Sequence, residues 1–231
     1  MTALRNFAKA SGLLAAARKL RETYRVRSRA GLMLKFLLPE EERRPFLVTF
    51  DPVRYGTLSL ALRRIALEKI PGHLAEVGVY KGYTSAFLHA GAPDRRLYLF
   101  DTFQGFDERD SVSRGDTRFR DTSVEAVSRA LGDTRNVEFR KGYFPETAAG
   151  LEGERFALVM LDADLFEPTL AGLEFFYPRV SPGGYIFVHD YNSNESGYAV
   201  SRAVSRFLTD KPERPVEIPD IAGSVLLRKL L

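Results

Sequence analysis

The stretch GHLAEVGVYKG, Gly72 to Gly82, is where the sequence changes character. His73 to Val77 is a short strand-like run carrying one carboxylate, Glu76. Two glycines, Gly78 and Gly82, follow, and a helical stretch begins at Thr84. A strand that runs through a glycine-bearing turn into a helix opens a parallel sheet with crossover helices. Gly78 lets the backbone approach a ligand closely and Gly82 can open the helix, but the spacing is not the G-x-G-x-x-G of a dinucleotide turn. Glu76 also argues against a pyrophosphate, which a carboxylate repels, and suits an ammonium group. Taken alone, the motif reads equally as a turn and as a cofactor loop.

Outward from this unit the same pattern repeats. Strand-like runs occupy His73 to Val77, Arg96 to Phe100, Val137 to Arg140, Phe156 to Leu161 and, after a Pro-Gly-Gly turn, Gly184 to Val188. Helix candidates between and after them are Thr84 to Ala90, Ser123 to Leu131, Pro168 to Phe176 and Tyr198 to Leu208, with Pro168 suited to the first helical position. Val216 to Ile218 and Gly223 to Lys229, joined by Pro-Asp-Ile-Ala, predict a terminal hairpin. The expectation is an α/β fold: five parallel strands followed by an antiparallel pair. Asp107 to Asp121, DERDSVSRGDTRFRD, is polar and aperiodic, hence a loop that is either solvated or a flap over a site.

The region before Gly72 predicts helices over Leu4 to Arg27, Gly31 to Leu38 and Leu58 to Lys69. With no sheet of their own, residues 1–70 form a helical cap, lid or self-association region rather than a separate domain. Residues 71–231 form the α/β domain. No acidic residue precedes Glu22, so much of the net charge of +4 lies in this region, on Arg5, Lys9, Arg18, Lys19, Arg21, Arg25, Arg27 and Arg29. A basic helix face packed on the body is favoured over nucleic-acid or membrane contact. The short apolar run Leu13 to Ala17 fits a signal peptide poorly, and GLMLKFLLP is too short to span a bilayer; the expected setting is cytoplasmic, without a membrane or nucleic-acid partner. With no cysteine and only three histidines in 231 residues, thiolate chemistry is excluded and a multi-histidine metal site would consume most of the supply.

Ligands of such sheets sit beyond the carboxyl ends of the strands, so the residues after each run carry the functional reading. Asp101, in LYLFDTFQGF, can accept hydrogen bonds from the hydroxyls of a ribose; its bland alternative is a cap. Gly142, Tyr143 and Phe144 can line an adenine slot by stacking, although aromatics of this kind are more often core. Asp162, in VMLDADLFEPT, leaves a buried run and needs a partner to avoid a desolvation penalty of several kcal/mol. Asp164 is expected to cap the next helix. His189 and Asp190, in IFVHDYN, end the fifth run beside the fourth.

As an ordered set, DPVRYGTL, GHLAEVGVYKGYTS, LYLFDTFQGF, FRDTSVEAV, KGYFPET and LDADLFEPTLAGLEFFYPRVSPGGYIFVHDY resemble the macrocin O-methyltransferase family, over roughly Asp51 to the C-terminus. Members are class I S-adenosylmethionine-dependent enzymes that methylate sugar hydroxyls. The resemblance implies a Rossmann-like seven-stranded sheet and an S-adenosylmethionine site. That site would use Glu76, Gly78, Tyr80, Thr84 and Ser85 at the methionine end, Asp101, Thr102 and Phe103 at the ribose, and Gly142, Tyr143 and Phe144 at the adenine, with Asp162 nearby. It implies an acceptor site drawing on Arg54, Tyr55 and Tyr191, and magnesium held by Asp162 and by the pair at His189 and Asp190. The chain departs from the family where His189 replaces the first aspartate of that pair, which shifts the metal expectation toward manganese.

Asp162, His189 and Asp190 are therefore the expected catalytic and metal-binding group. His189 has three open roles: metal ligand, general base, or structural hydrogen-bonding residue. The predicted reaction is methyl transfer to a hydroxyl of a sugar or glycosylated natural product, with or without an ion. A nicotinamide-dependent oxidoreductase is disfavoured by Glu76 and the missing fingerprint, and an RNA-modifying enzyme rests only on the basic N-terminus.

Overall fold

The structure, a computed structural model, describes residues 51–110 and 115–230. Helix α1 (Pro52–Leu67) leads into β1 (His73–Val77), α2 (Tyr83–Gly91), β2 (Leu97–Asp101), α3 (Val124–Leu131), β3 (Val137–Lys141), β4 (Phe156–Leu161), α4 (Phe166–Phe176), β5 (Val180–Val188), α5 (Ala199–Phe207), β6 (Val216–Ile218) and β7 (Ser224–Arg228). The seven strands form one sheet in the order β3-β2-β1-β4-β5-β7-β6. The β1, β2, β3, β4 and β5 neighbours pair parallel, and β7 runs antiparallel to β5 and β6. The order reverses between β1 and β4, the crevice where open α/β sheets bind ligands.

Side chains alternate across the sheet. Ala75, Val77, Val159, Leu161, Ile186 and Val188 join Leu173 and Phe176 of α4 and Val200, Val204 and Phe207 of α5 in one buried core. Phe100, Phe144, Phe156 and Phe176 form its aromatic centre, with ring centroids 5.0 to 5.9 Å apart where they meet. Val53–Leu231 form one compact unit, and α1 meets α2 through the Tyr55 and Phe87 rings, 5.0 Å apart.

Three local expectations change. The Pro-Gly-Gly segment is not a turn before β5 but lies inside it, where the register with β4 slips between Phe156 and Leu158. Pro168 is the third residue of α4 rather than the first. Asp164 caps nothing: Leu165 is the N-cap residue, and Asp164 sits in the left-handed region at φ 60°. Ser123, by contrast, caps α3 by accepting the Ala126 amide at 3.1 Å. The expected helices over 4–27 and 31–38, and the basic face they would carry, lie outside the described residues. Among the described residues no helix is long and apolar enough to cross a membrane.

Candidate active site

The site follows from strand register. Val77 is aligned with Phe100 and Leu161, and Leu161 with Val188. One residue further along each strand stand Gly78, Asp101, Asp162 and His189, tied into the row by Gly78 N–H to Phe100, Asp162 N–H to Val77 and His189 N–H to Leu161, at 2.8 to 2.9 Å. A cavity of about 380 Å³ opens above this row.

Left-handed backbone recurs around it. Tyr80, Phe103, Asp164 and Asp190 have φ between 49° and 60°, a conformation unfavourable for non-glycine residues and concentrated at functional turns. It turns Asp164 and Asp190 into the cavity wall. Gly82, also left-handed at φ 75°, precedes α2 without a side-chain cap, so the first turn of α2, with Tyr83 and Thr84, borders the cavity directly.

Asp101 is committed mainly to the chain itself. Its Oδ2 accepts the amides of Val79 and Tyr80 at 2.7 and 3.0 Å, and its Oδ1 accepts that of Phe103 at 2.6 Å. A carboxylate has roughly four acceptor positions, and Thr102 Oγ1, 3.5 Å from Oδ1, stands at the fourth, where a ribose hydroxyl would have to replace it. The first role of Asp101 is to hold the β1–α2 loop in shape. Glu76 is fully buried beside the cavity and accepts a hydrogen bond from Ser85. Burial pushes its carboxyl well above the usual range, against the Ser85 hydrogen bond, so it keeps its proton until a nearby cation favours the ionised form.

On the other side of the cavity, His189 Nδ1 lies 2.9 Å from Asp162 Oδ1 and 2.8 Å from Asp190 Oδ2, and Nε2 lies 3.0 Å from the Ile221 carbonyl. Arg54 completes the group: its guanidinium contacts His189 Nε2 and stands 3.4 Å from Asp162 Oδ2. Burial favours a neutral ring, but the Asp162 charge and the hydrogen bonds to Asp162 and Asp190 prevail and raise His189 to about 10. Burial likewise favours a neutral Asp162, and His189 and Arg54 reverse this, holding it below the usual carboxylate range. Asp190 is raised, chiefly by burial, and Asp164 is raised to about 8 by burial and by the neighbouring Asp190 and Asp162 charges. As arranged, His189 is a proton donor at neutral pH; both the base role and the ligand role require that proton to leave.

The chemistry of the donors fits a divalent ion. Asp162, His189 and Asp190 each present one ligand atom within 4.8 Å of the others, in an acid-rich wall whose repulsion a cation relieves.

Arg54, Tyr55, Glu76, Gly78, Tyr80, Thr84, Asp101, Thr102, Gly142, Tyr143, Phe144, Asp162, His189 and Asp190 all line the one cavity. Three other expected residues do not. Ser85 acts from behind, through Glu76. Phe103 is buried against Phe139, and Tyr191, partly buried, packs on the α4–α5 core. The expected loop contributes Asp107, Asp110, Arg118 and Phe119 to the wall, and Phe106 just before it also borders the cavity. Tyr143 donates to Asp110 at 2.8 Å, and Arg109 lies over the Tyr143 ring at 4.0 Å while pairing with Glu146 at 2.7 Å. Arg118 reaches Glu195, beyond β5, at 3.1 Å. Glu195 itself had no signal in the sequence.

This sheet order, with the cavity at the switch point and acids at successive strand ends, defines a class I methyltransferase fold. The likeness to solved structures agrees: the O-methyltransferase NovP superposes with a TM-score of 0.69 at 23% identity, covering 80% of this chain and 82% of that one. A calicheamicin methyltransferase superposes at 0.64 with 21% identity, covering 87% and 91%. The chain belongs to the macrocin-O-methyltransferase family, whose profile matches residues 51–224.

Among curated relatives, a tetracenomycin 4'-O-methyltransferase from Streptomyces olivaceus, named for its 8-demethyl-8-(2,3-dimethoxy-alpha-L-rhamnosyl) form, is 33% identical over 158 residues. The demethyldecarbamoylnovobiocin O-methyltransferase of Streptomyces niveus is 33% identical over 140 residues. The matches cover 60% of this chain and 60% of the first relative, and 53% of each chain for the second, so the chain spans less than two thirds of their length.

Proposed function

We propose that this protein is an S-adenosylmethionine-dependent O-methyltransferase acting on a hydroxyl of a sugar carried by a small natural product, assisted by a divalent ion, magnesium or manganese. The observation that carries this reading is the convergence of Asp162, His189 and Asp190 on the cavity that Glu76, Gly78 and Asp101 border. The names of the curated relatives supply the acceptor class: the first acts on a rhamnosyl tetracenomycin.

In this reading Glu76 faces the ammonium of the methyl donor, Asp101 keeps the β1–α2 loop shaped around it and takes one ribose hydroxyl, and Gly142 to Phe144 border the adenine. The acceptor hydroxyl sits against Asp162 and Asp190. As its oxygen forms the new bond to the methyl carbon, the sulfur–methyl bond breaks and the hydroxyl proton passes to a carboxylate oxygen of that pair. The sulfonium methyl is already activated, so alignment supplies much of the acceleration. A divalent ion held by Asp162, His189 and Asp190 would stabilise the developing alkoxide. A cytoplasmic, membrane-free setting belongs to the same reading.

The test is methyl transfer from radiolabelled S-adenosylmethionine to a panel of glycosylated aromatic and macrolide acceptors, with chelator and with magnesium or manganese restored. Label should enter a sugar-bearing acceptor. Calorimetric binding of a nicotinamide dinucleotide without binding of S-adenosylmethionine would overturn the assignment.

A further inference from the structure

We propose that Arg54 is the resident counter-cation of the Asp162–His189–Asp190 group, and that a divalent ion enters this site only as Arg54 withdraws. The inference rests on the reading of those three residues as ion ligands and concerns the fixed positive charge that stands beside them.

Arg54 lies in the first turn of α1, away from the strand ends in sequence, yet its side chain is only 15% exposed. Its guanidinium touches three separate parts of the site. It contacts His189 Nε2, stands 3.4 Å from Asp162 Oδ2, and its Nε is 3.9 Å from Asp220 Oδ2 in the β6–β7 turn. A buried guanidinium is retained only where acids compensate its lost hydration, and Asp162 and Asp220 do so here.

The same compensation cannot be given twice. Asp162 is the carboxylate that Arg54 shares with the ion site, one oxygen facing each. Because the guanidinium also lies against the ring of the second ligand, His189, an ion among the three donors would face a fixed positive charge a few ångströms away, in surroundings that screen poorly. An arginine cannot shed its charge, so the conflict is relieved only by displacement of the side chain. The ion site is therefore coupled to the first turn of α1. Tyr55, next in that turn, meets Thr84 of α2 at 3.3 Å on the cavity wall, so withdrawal of Arg54 would be felt where the acceptor and methyl donor meet.

The experiment is calorimetric titration of Mn²⁺ into the full chain, without acceptor, for the wild type, Arg54→Gln and Arg54→Lys. Arg54→Gln should bind Mn²⁺ about tenfold more tightly or better, since a like charge is removed from beside the ion, and Arg54→Lys, which keeps the charge, should not. In thermal unfolding, Arg54→Gln should start less stable than the wild type and gain more from Mn²⁺. Equal or weaker Mn²⁺ affinity in Arg54→Gln overturns the proposal while leaving the ligand reading intact. No binding to either protein removes the ligand reading and the proposal together. If Arg54→Gln does not fold, arginine Nε–H spectra of the wild type carry the test. One resonance should shift with Mg²⁺ at the binding stoichiometry, and unchanged arginine resonances at saturation overturn the proposal.

Discussion

A side-chain carbon placed on residue 78 would lie 1.9 Å from the backbone carbonyl oxygen of Asp162. Gly78 is thus demanded by β4 as much as by any ligand, and at φ 84° its backbone also resists a side chain. Gly78→Ala should cost about 3 kcal/mol or more, through steric and backbone strain together. Any folded fraction should have lost methyl transfer, because relief of the clash moves Asp162. Denaturant unfolding measures the cost; a Gly78→Ala protein of wild-type stability contradicts the close approach.

Asp162→Asn keeps the shape of the side chain while removing the charge opposite His189. The turnover number should fall by about 10² to 10⁴, the range for a group that handles a proton in the reaction. Affinity for S-adenosylmethionine should change no more than about threefold, since the proposed reading gives that ligand's ammonium and ribose to Glu76 and Asp101. Single-turnover kinetics beside calorimetry separates the two effects.

Without metal, the protein should lose stability as pH rises. Asp164 binds a proton up to about pH 8 when folded but only to its ordinary 3.8 when unfolded, so the folded state grows less favourable across that interval. His189 titrates near 10 folded against 6.5 ordinarily. Its contribution is complete below 6.5 and is lost progressively toward 10. Both act in the same direction between pH 6.5 and 8, on the order of 1 kcal/mol per pH unit for each. Melting temperatures measured in chelator should decline from pH 6 to 10, and Asp164→Asn should remove only its own share of the decline below pH 8, leaving that of His189 above 6.5. A flat profile in the wild type would count against the charge arrangement at the strand ends.

Tyr143→Phe removes the hydroxyl that donates to Asp110 and loosens the contact between the 107–110 segment and the wall beyond β3. The expected result is an increase of about five- to tenfold in KM for the methyl donor, equivalent to one lost hydrogen bond of ordinary strength. The turnover number should stay near the wild-type value, because Tyr143 is remote from Asp162 in the row of strand ends. A fall in turnover with unchanged KM would place Tyr143 elsewhere in the reaction.

Much of this fold was legible because the signals are local. His73–Val77 and Phe156–Leu161 are bounded by the residues expected, since short apolar runs between glycines, prolines and charges leave few alternatives. The acids at the strand ends were legible for the same reason. What escaped depends on single dihedral angles and on distant partners. Nothing near Asp164 announces φ 60°, so a residue two before a helix resembles a cap when it is part of the wall. Asp101 reads as a ligand acid, yet the amides of Val79 and Tyr80, more than twenty positions away, claim about half of its capacity. Tyr191 directly follows Asp190, and only the turn of the backbone there decides that it packs inward. Arg54 was placed with the acceptor, and its position against Asp162 and His189 becomes visible only when α1 is set against the sheet.

The β6–β7 turn closes the molecule around His189. Ile221 supplies the carbonyl facing Nε2, and Ala222 and Gly223 accept the amides of Asn192 and Tyr191 just after the histidine. The histidine is therefore seated by a turn that lies 32 positions further along the chain. A nascent chain that extends through Asp190 carries Glu76, Asp101, Asp162 and Asp190 but lacks the carbonyl that faces the ring. A premature stop codon before Ile221 would yield a chain that keeps its glycine loop and lacks the carbonyl against which the His189 ring is set.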